Sequence, residues 1–180
     1  MQETATPRAD QDQTGGRPEG VGLLRALAST PGALFNGPFR KQYGAVCFRI
    51  TDGGEIEVLV ITSRDTGRWV IPKGWPMKNR KPHEAAEIEA LQEAGVRGRT
   101  GKKPVGQYTY LKRRESGPGV PCIVEIYQVE VTDIETEFKE KGQRKLEWVA
   151  PVEAARRVYE PELKSFLSGF TPCGKRYHRQ

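Results

Sequence analysis

GWPMKNRKPHEAAEIEALQEAGV, residues 74–96, is the stretch that decides the fold. Its second half predicts a helix from about Pro82 to Ala94, because proline suits the first helical turn and Gly95 suits the position just past the last turn. The loop before the helix contains Gly74, and a glycine there lets backbone groups come close to the oxygens of a ligand. The stretch therefore predicts a glycine-containing loop that leads into a helix.

One face of this predicted helix carries oxygen ligands. Glu89, Gln92 and Glu93 are three and four positions apart, so at 3.6 residues per turn they fall on one side. Clustered carboxylates repel each other unless a cation lies between them. Mg²⁺ and Mn²⁺ prefer oxygen ligands of this kind. In isolation the pattern E-x-x-Q-E would indicate a solvated acidic face, but the preceding glycine loop favours an ion site.

The other helix positions are divided between small and bulky residues. Ala85 and Ala86 lie one turn before the acidic residues on the same face, where their methyl groups leave room for an ion and a ligand. Ile88 and Leu91 point elsewhere, and we expect them to pack on a sheet.

Strand patterns lie on both sides of the helix. The predicted strands cover residues 45–50, 56–61, 69–71, 106–111, 122–131 and 145–149, and a final helix is predicted over 151–159. The segments 106–111 and 122–131 are expected to form a long hairpin. Strands, a central helix, more strands and a last helix indicate an α+β fold, with a mixed β-sheet sandwiched between helices.

Composition divides the chain into four parts. Residues 1–20 are polar and rich in Gly and Pro, which predicts a disordered tail. Residues 21–39 carry a short apolar pattern and are interpreted as an N-terminal extension. The folded domain is predicted over 40–170, followed by a C-terminal tail over 171–180.

The charge balance favours anionic partners. The formal net charge is +6, which suits nucleic acids, nucleotides and inositol phosphates alike. The sequence contains no aromatic RNA-binding pattern and no helix-turn-helix signal. It also lacks an apolar run long enough to cross a membrane and a signal pattern for export. Cys47, Cys122 and Cys173 cannot all pair, so we expect a cytoplasmic protein in a reducing compartment.

The segment 74–96 resembles the Nudix box, G-x5-E-x7-R-E-U-x-E-E-x-G-U, where U is a bulky apolar residue. Gly74, Glu89, Glu93, Gly95 and Val96 match it at the correct spacing. The longer run WVIPKGWPMKNRKPHEAA is similar to a bacterial subgroup related to diphosphoinositol polyphosphate phosphohydrolases. The later segment FKEKGQRKLEWVAPVEAA resembles the closing loop, strand and helix of that subgroup, so the likeness covers roughly residues 40–170.

Three departures from the box bear on the chemistry. Arg80 stands where the general box has its first Glu, and basic residues are expected there in similar W-P-M-K proteins. Ile88 replaces the box Arg, which in the family orients the acidic residues. Gln92 replaces the first Glu of the E-E pair, which removes a full negative charge beside the metal. This Gln is compatible with natural divergence and with an engineered change made to trap substrate.

The resemblance implies water attack on phosphorus, assisted by Mg²⁺ or Mn²⁺. Glu89 and Glu93 then correspond to helix carboxylates that bind metal or activate water, and Gln92 offers one neutral oxygen. Lys73 corresponds to a position whose backbone carbonyl binds metal, although a plain loop lysine is an equal alternative. Glu140 is the candidate for a further ligand or base from a later loop, with a surface glutamate as its competitor.

Basic residues surround these carboxylates in the sequence. They suit a multiply phosphorylated ligand, because Arg pairs with phosphate in bidentate fashion and Lys acts as a point charge. The substrate-binding candidates are Arg64, Arg68, Lys73, Gly74, Lys78, Arg80, Lys81, Arg113 and Arg114. Ordinary surface charge is the competing interpretation for each of them taken singly.

Three functional hypotheses follow. The first is a metal-dependent diphosphohydrolase that acts on a phosphorylated small molecule such as a diphosphoinositol polyphosphate or a dinucleoside polyphosphate. The second is a Nudix-fold module that binds nucleotides or inositol phosphates with little or no turnover, as Ile88 and Gln92 allow. The third is a pyrophosphohydrolase acting on the 5′ end of RNA.

Overall fold

A mixed β-sheet organises residues 39–112 and 119–173, which are the residues that the computed structural model describes. Its strands are β1 (Arg40–Ile50), β2 (Ile56–Thr62), β3 (Trp69–Val70), β4 (Lys73–Gly74), β5 (Val96–Thr100), β6 (Gly106–Lys112), β7 (Val120–Ile134) and β8 (Leu146–Val149). The helices are α1 (Pro82–Ala94), α2 (Pro151–Arg157) and α3 (Pro161–Ser168). The predicted tail over 1–20, all but the last residue of the extension over 21–39, and most of the tail over 171–180 lie outside the described residues.

The sheet has the order β3-β2-β1-β7-β5, with β4 paired to β1, β6 to β7 and β8 to β2. Strands β1 and β7 run parallel in register from Arg40 opposite Cys122 to Phe48 opposite Glu130. The other strand pairs of the described residues are antiparallel. The prediction of a mixed sheet is therefore confirmed, and so is the hairpin formed by β6 and β7.

Helices cover both faces of the sheet because strand residues alternate between two clusters. Along β1, Ala45 and Cys47 pack in the cluster that includes alanines of α1. Val46 and Phe48 pack in the opposite cluster, which includes residues of α2 and α3. The predicted sheet sandwiched between helices is confirmed.

Alanine forms the face of α1 that packs on the sheet. Ala86, Ala90 and Ala94 are buried in the same cluster as residues of β1 and β2. Ile88 and Leu91 are only partly buried and lie outside that cluster, so the expectation that these two residues pack on the sheet is wrong. Small side chains face the sheet instead, which lets the helix axis lie close to the strands.

Both ends of α1 agree with the prediction. The Lys81 amide donates a hydrogen bond to Glu84 Oε2 at 2.9 Å, which satisfies a free donor at the helix start. Gly95 adopts φ 69°, and its amide bonds the Leu91 carbonyl at 2.9 Å. This left-handed cap is the conformation that glycine accommodates best.

Three elements lie beyond the sequence prediction. Strand β4 has only two residues, and β5 has the weakly apolar sequence VRGRT. Helix α2 corresponds to the helix predicted over 151–159, and α3 (Pro161–Ser168) follows it as a further helix that the sequence pattern does not predict. Short or polar segments become ordered here because neighbouring strands and helices pair with them, and local sequence does not report such contacts.

Within the described ranges, no helix is long and apolar enough to cross a membrane.

The close packing of α1 predicts that a larger side chain at Ala90 destabilises the domain. In Ala90→Leu the free energy of unfolding should fall by about 1–3 kcal/mol, since overpacking forces strain on a fully buried position. Ala150→Leu is the matched control, because Ala150 is exposed and its change should stay within about 0.5 kcal/mol. Urea denaturation of both variants measures the difference, and equal effects would contradict the packing described for α1.

Candidate functional site

An open cleft of about 490 Å³ lies between α1, the β4 loop and the segment before β8. It brings together most of the site residues expected from sequence. The predicted residues that line it are Arg64, Lys73, Gly74, Glu89, Gln92, Glu93 and Glu140. We call this space the cleft.

Gly74 allows Glu89 to approach the backbone of β4. A Cβ atom at position 74 would lie 1.8 Å from Glu89 Oε1, which is far inside van der Waals contact. Any other residue would therefore push the carboxylate away from its present place. The glycine of the sequence pattern is explained by this close approach, since its φ is not in the left-handed region.

Glu89 contributes an unpaired carboxylate to the cleft. Among the described residues, no protein group hydrogen-bonds or forms an ion pair with its carboxylate. The pKa of Glu89 is raised to about 7, mainly by partial burial and then by the negative charges of Glu93 and Glu140. An unpaired carboxylate at such a position is available to a proton or to a cation.

Glu93 is held by donors on both oxygens. The Lys73 amide donates to Oε2 at 3.0 Å, and the Arg144 guanidinium donates to Oε1. Burial raises the pKa of Glu93, while Arg144 and Lys73 oppose that rise. The first residue of β4 is thereby linked by a hydrogen bond to the last turn of α1.

Glu140 lies in the cleft and is also held on both oxygens. Arg144 Nε lies 2.8 Å from Oε2, and Arg64 Nη1 lies 3.3 Å from Oε1. The Glu140 amide donates to the Gln92 carbonyl at 3.0 Å, which attaches this loop to α1. Tertiary folding thus brings a loop glutamate to the helix carboxylates.

Gln92 faces a lysine in this arrangement. Lys139 Nζ donates to Gln92 Oε1 at 3.2 Å, on the exposed side of the cleft. The Gln92 amide oxygen can bind a cation in the cleft only if it also keeps, or gives up, the hydrogen bond from Lys139.

Arg144 is the functional residue that the sequence analysis missed. Its side chain is 6% exposed and lies between Glu93 and Glu140. The four-residue spacing from Glu140 is the one signal in the sequence that could have pointed to it. Its contact with Glu93 spans 51 positions, and such a contact leaves no trace in local pattern.

The predicted basic residues separate into two groups. Arg64 lines the cleft, whereas Arg68 lies over the Tyr159 ring at 4.6 Å and lines a neighbouring pocket. The basic residues of the box loop are exposed and are not among those that line the cleft; they are Lys78, Arg80 and Lys81. Arg113 and Arg114 lie outside the described residues.

Further basic and aromatic residues complete the cleft wall. Lys112 and Lys139 line it, and neither belongs to the predicted set. Trp75 also lines the cleft and is approached by Arg40 at 4.3 Å and by Lys112 at 5.3 Å from its ring centre. Trp69 packs against the core instead.

The acidic residues of the cleft differ in whether their carboxylates are free to bind a cation. The described residues contain no group of three or more His, Cys, Asp or Glu side chains already gathered as a metal site. The donor set is nevertheless all oxygen, and Glu89 has no competing protein partner. This chemistry fits a hard divalent cation held first by Glu89, with oxygens of Gln92, Glu93 and Glu140 nearby.

Comparison with known proteins shows that the chain has related sequences, among them the following two. The chain is 32% identical over 124 residues to diphosphoinositol polyphosphate phosphohydrolase 3-beta of Bos taurus, covering 68% of this chain and 70% of the relative. It is 32% identical over 139 residues to the chloroplastic Nudix hydrolase 21 of Arabidopsis thaliana, covering 73% of this chain and 66% of the relative. The chain spans about two thirds of the length of each. No protein-family model matches it.

A solved structure supports the fold. The C. elegans Ap4A hydrolase has a TM-score of 0.52 at 19% identity, covering 72% of this chain and 93% of that structure. At this identity the likeness concerns the arrangement of strands and helices alone.

The raised pKa of Glu89 predicts how stability depends on pH without metal. Between an unfolded value of 4.5 and about 7, the folded protein binds more protons than the unfolded chain, so the free energy of unfolding falls as pH rises. Glu89→Gln removes this contribution. With a chelator present, the wild type should lose stability relative to Glu89→Gln when pH is raised from 5 to 7.5. Urea denaturation at each pH measures this difference, and parallel profiles would contradict the prediction.

Proposed function

Because this chain belongs to the Nudix hydrolase family, whose members act on acid anhydrides in phosphorus-containing substrates, we propose that it is a metal-dependent diphosphohydrolase. Its substrate is a highly phosphorylated molecule, either a diphosphoinositol polyphosphate, a dinucleoside polyphosphate or a related nucleotide. The observation that carries the proposal is the unpaired Glu89 carboxylate in a cleft lined by basic side chains.

Glu89 and its neighbours are suited to hold Mg²⁺ or Mn²⁺. Glu89 offers a free carboxylate, and Gln92 offers an amide oxygen. The carboxylate of Glu93 is held in place, but its oxygens keep lone pairs that can bind the ion. When bound, the ion supplies charge stabilisation at the phosphoryl oxygens and lowers the pKa of a coordinated water.

Glu89 is also a better candidate than Glu140 for accepting a proton. A base is most effective when its pKa lies near the working pH, and the pKa of Glu89 is about 7 in the metal-free cleft. Both oxygens of Glu140 already accept from Arg144 or lie beside Arg64. We assign Glu140 the role of fixing the loop and shaping the site.

Charge in the cleft supports a substrate with several phosphates. The described residues that line it include five basic side chains, Arg64, Lys73, Lys112, Lys139 and Arg144, and four acidic ones, Asp65, Glu89, Glu93 and Glu140. Since Arg144 is committed to two carboxylates, the other basic groups are the ones left to contact phosphate oxygens. Burial lowers the pKa of Lys73, so its charge is the most easily lost of the set.

The site predicted from the box loop and the hairpin loop extends this surface. Lys78, Arg80 and Lys81 are exposed, and with Arg113 and Arg114 they are proposed to contact the outer phosphates of a long substrate. A cytoplasmic location also remains our proposal; one relative carries the name chloroplastic.

A substrate panel tests the proposed activity. The protein should release phosphate from diphosphoinositol polyphosphates, or split dinucleoside polyphosphates into two nucleotides, when Mg²⁺ or Mn²⁺ is supplied. Glu89→Gln should lower kcat by about 10²- to 10⁴-fold, since it removes a ligand and a base together. Triphosphorylated RNA belongs in the same panel as the third hypothesis. No hydrolysis of any member with either metal, as followed by chromatography of the products, would contradict the proposal.

A binding module with little turnover is the second candidate, and one contact favours it. Lys139 Nζ donates a hydrogen bond to Gln92 Oε1 at 3.2 Å, and Gln92 stands where the box has a glutamate. A neutral side chain whose oxygen already accepts a hydrogen bond binds a cation more weakly than Glu would.

Restoring the box residues separates the two candidates. Under the hydrolase proposal, Gln92→Glu combined with Ile88→Arg should raise kcat by no more than about 10-fold, because Glu89 and Glu93 already supply the essential charge. Under the binding proposal, turnover should rise from near zero by orders of magnitude. Assaying wild type and double variant side by side, on the best substrate of the panel, gives the answer. If the wild type already turns the substrate over rapidly, that result by itself excludes the binding-only function.

A further inference from the structure

We propose that Arg144 is the positioning residue of the cleft: it fixes Glu93 and Glu140 and leaves Glu89 as the free ligand. Of these three carboxylates, that of Glu89 is then available to a ligand, and those of Glu93 and Glu140 are held. The role of Arg144 depends on the proposed function in one respect, which is that the cleft binds a divalent cation.

The guanidinium of Arg144 joins three separate elements. Nη2 contacts Glu93 Oε1 on α1, Nε lies 2.8 Å from Glu140 Oε2 in the loop before β8, and Nη1 donates to the Thr62 carbonyl of β2 at 2.9 Å. A planar guanidinium presents its donors in a fixed fork. The orientation of both carboxylates is therefore set by one rigid group that is itself anchored to the sheet.

Burial makes these contacts strong constraints. The side chain of Arg144 is 6% exposed, and those of Glu93 and Glu140 are 9% and 11% exposed. Removing one partner of a buried pair leaves an uncompensated charge, which is strongly unfavourable. A single positive charge between two acids also offsets their mutual repulsion.

The remaining oxygens of the held acids are engaged as well. Glu93 Oε2 accepts from the Lys73 amide at 3.0 Å, and Glu140 Oε1 lies 3.3 Å from Arg64 Nη1. By contrast, the Glu89 carboxylate has no hydrogen bond or ion pair among the described residues. Arg144 thus sorts the acids of the cleft into fixed and available ones.

The position of Arg144 bears on the departure from the box at position 88. Ile88 stands where the box pattern has an arginine, so α1 brings no guanidinium of its own to its acidic face. Arg144 brings one from a different element and contacts Glu93 directly. Loss of the arginine from the helix is therefore compatible with a well-ordered site.

Arg144→Lys is the decisive variant, because it keeps the charge and loses the fork. The matched control is Arg157→Lys: Arg157 also pairs with two carboxylates, those of Glu147 and Glu153, and does not line the cleft. Two measurements need no turnover. One is the NMR shift of the Lys73 amide proton in metal-free protein, which reports the Glu93 carboxylate. The other is Mn²⁺ affinity by calorimetry.

The expected result is a moved Lys73 amide shift and an Mn²⁺ affinity lower by about 10- to 100-fold in Arg144→Lys, with neither change in Arg157→Lys. On an active substrate, kcat should fall while KM changes little. A wild-type amide shift together with wild-type Mn²⁺ affinity in Arg144→Lys would overturn the inference. So would equal losses in the Arg157 control, since these would mark a general effect on folding.

Glu140→Gln provides a second variant that keeps the size and one acceptor of the side chain. It removes one anchor of Arg144, so the Lys73 amide shift should move in the same direction as in Arg144→Lys, but less. An unmoved shift overturns the inference even if Arg144→Lys fails to fold. An inactive wild type would end the proposed function, whereas the amide shift and Mn²⁺ affinity would still test Arg144.

Discussion

The approach of α1 to the sheet sets the geometry of everything in the cleft. Alanines at the sheet-facing positions let the helix lie close, so its acidic face meets β4 without intervening bulk. Glu89 then occupies the space that a side chain at Gly74 would fill. Glu93 reaches the backbone of Lys73 for the same reason. Packing against the core and placement of the reactive groups are two consequences of one interface.

Once the acids are brought together, their repulsion has to be offset. Arg144 does this for Glu93 and Glu140 inside a nearly buried set of contacts, and Glu89 is left to a proton or a cation. The pKa of Glu89 is raised mainly by burial and then by the charges of the two held acids. In the site that we propose, cation affinity resides chiefly in the Glu89 carboxylate, while the held acids define where that cation can lie.

The predictions that succeeded concern residues whose role is local. The helix limits follow from Pro82 and Gly95, and the alternating strands β1 and β2 follow from their apolar pattern. The assignment of Ile88 and Leu91 to the sheet failed, because periodicity alone favours bulky residues over alanine as the packing face. The two-residue strand β4 and the polar β5 depend on their partners, so local pattern could not reveal them.

From the sequence alone, the kind of fold and the candidate ligands on α1 could be predicted, since spacing along one helix fixes which side chains share a face. The sequence also indicated Glu140 as a loop acid, without a position in space. Only the tertiary structure decided that Arg144 lies between Glu93 and Glu140, and that Lys78, Arg80 and Lys81 do not line the cleft. The physical reason is that these outcomes depend on distances between segments far apart in the chain, which are set by how helix, sheet and loops pack together.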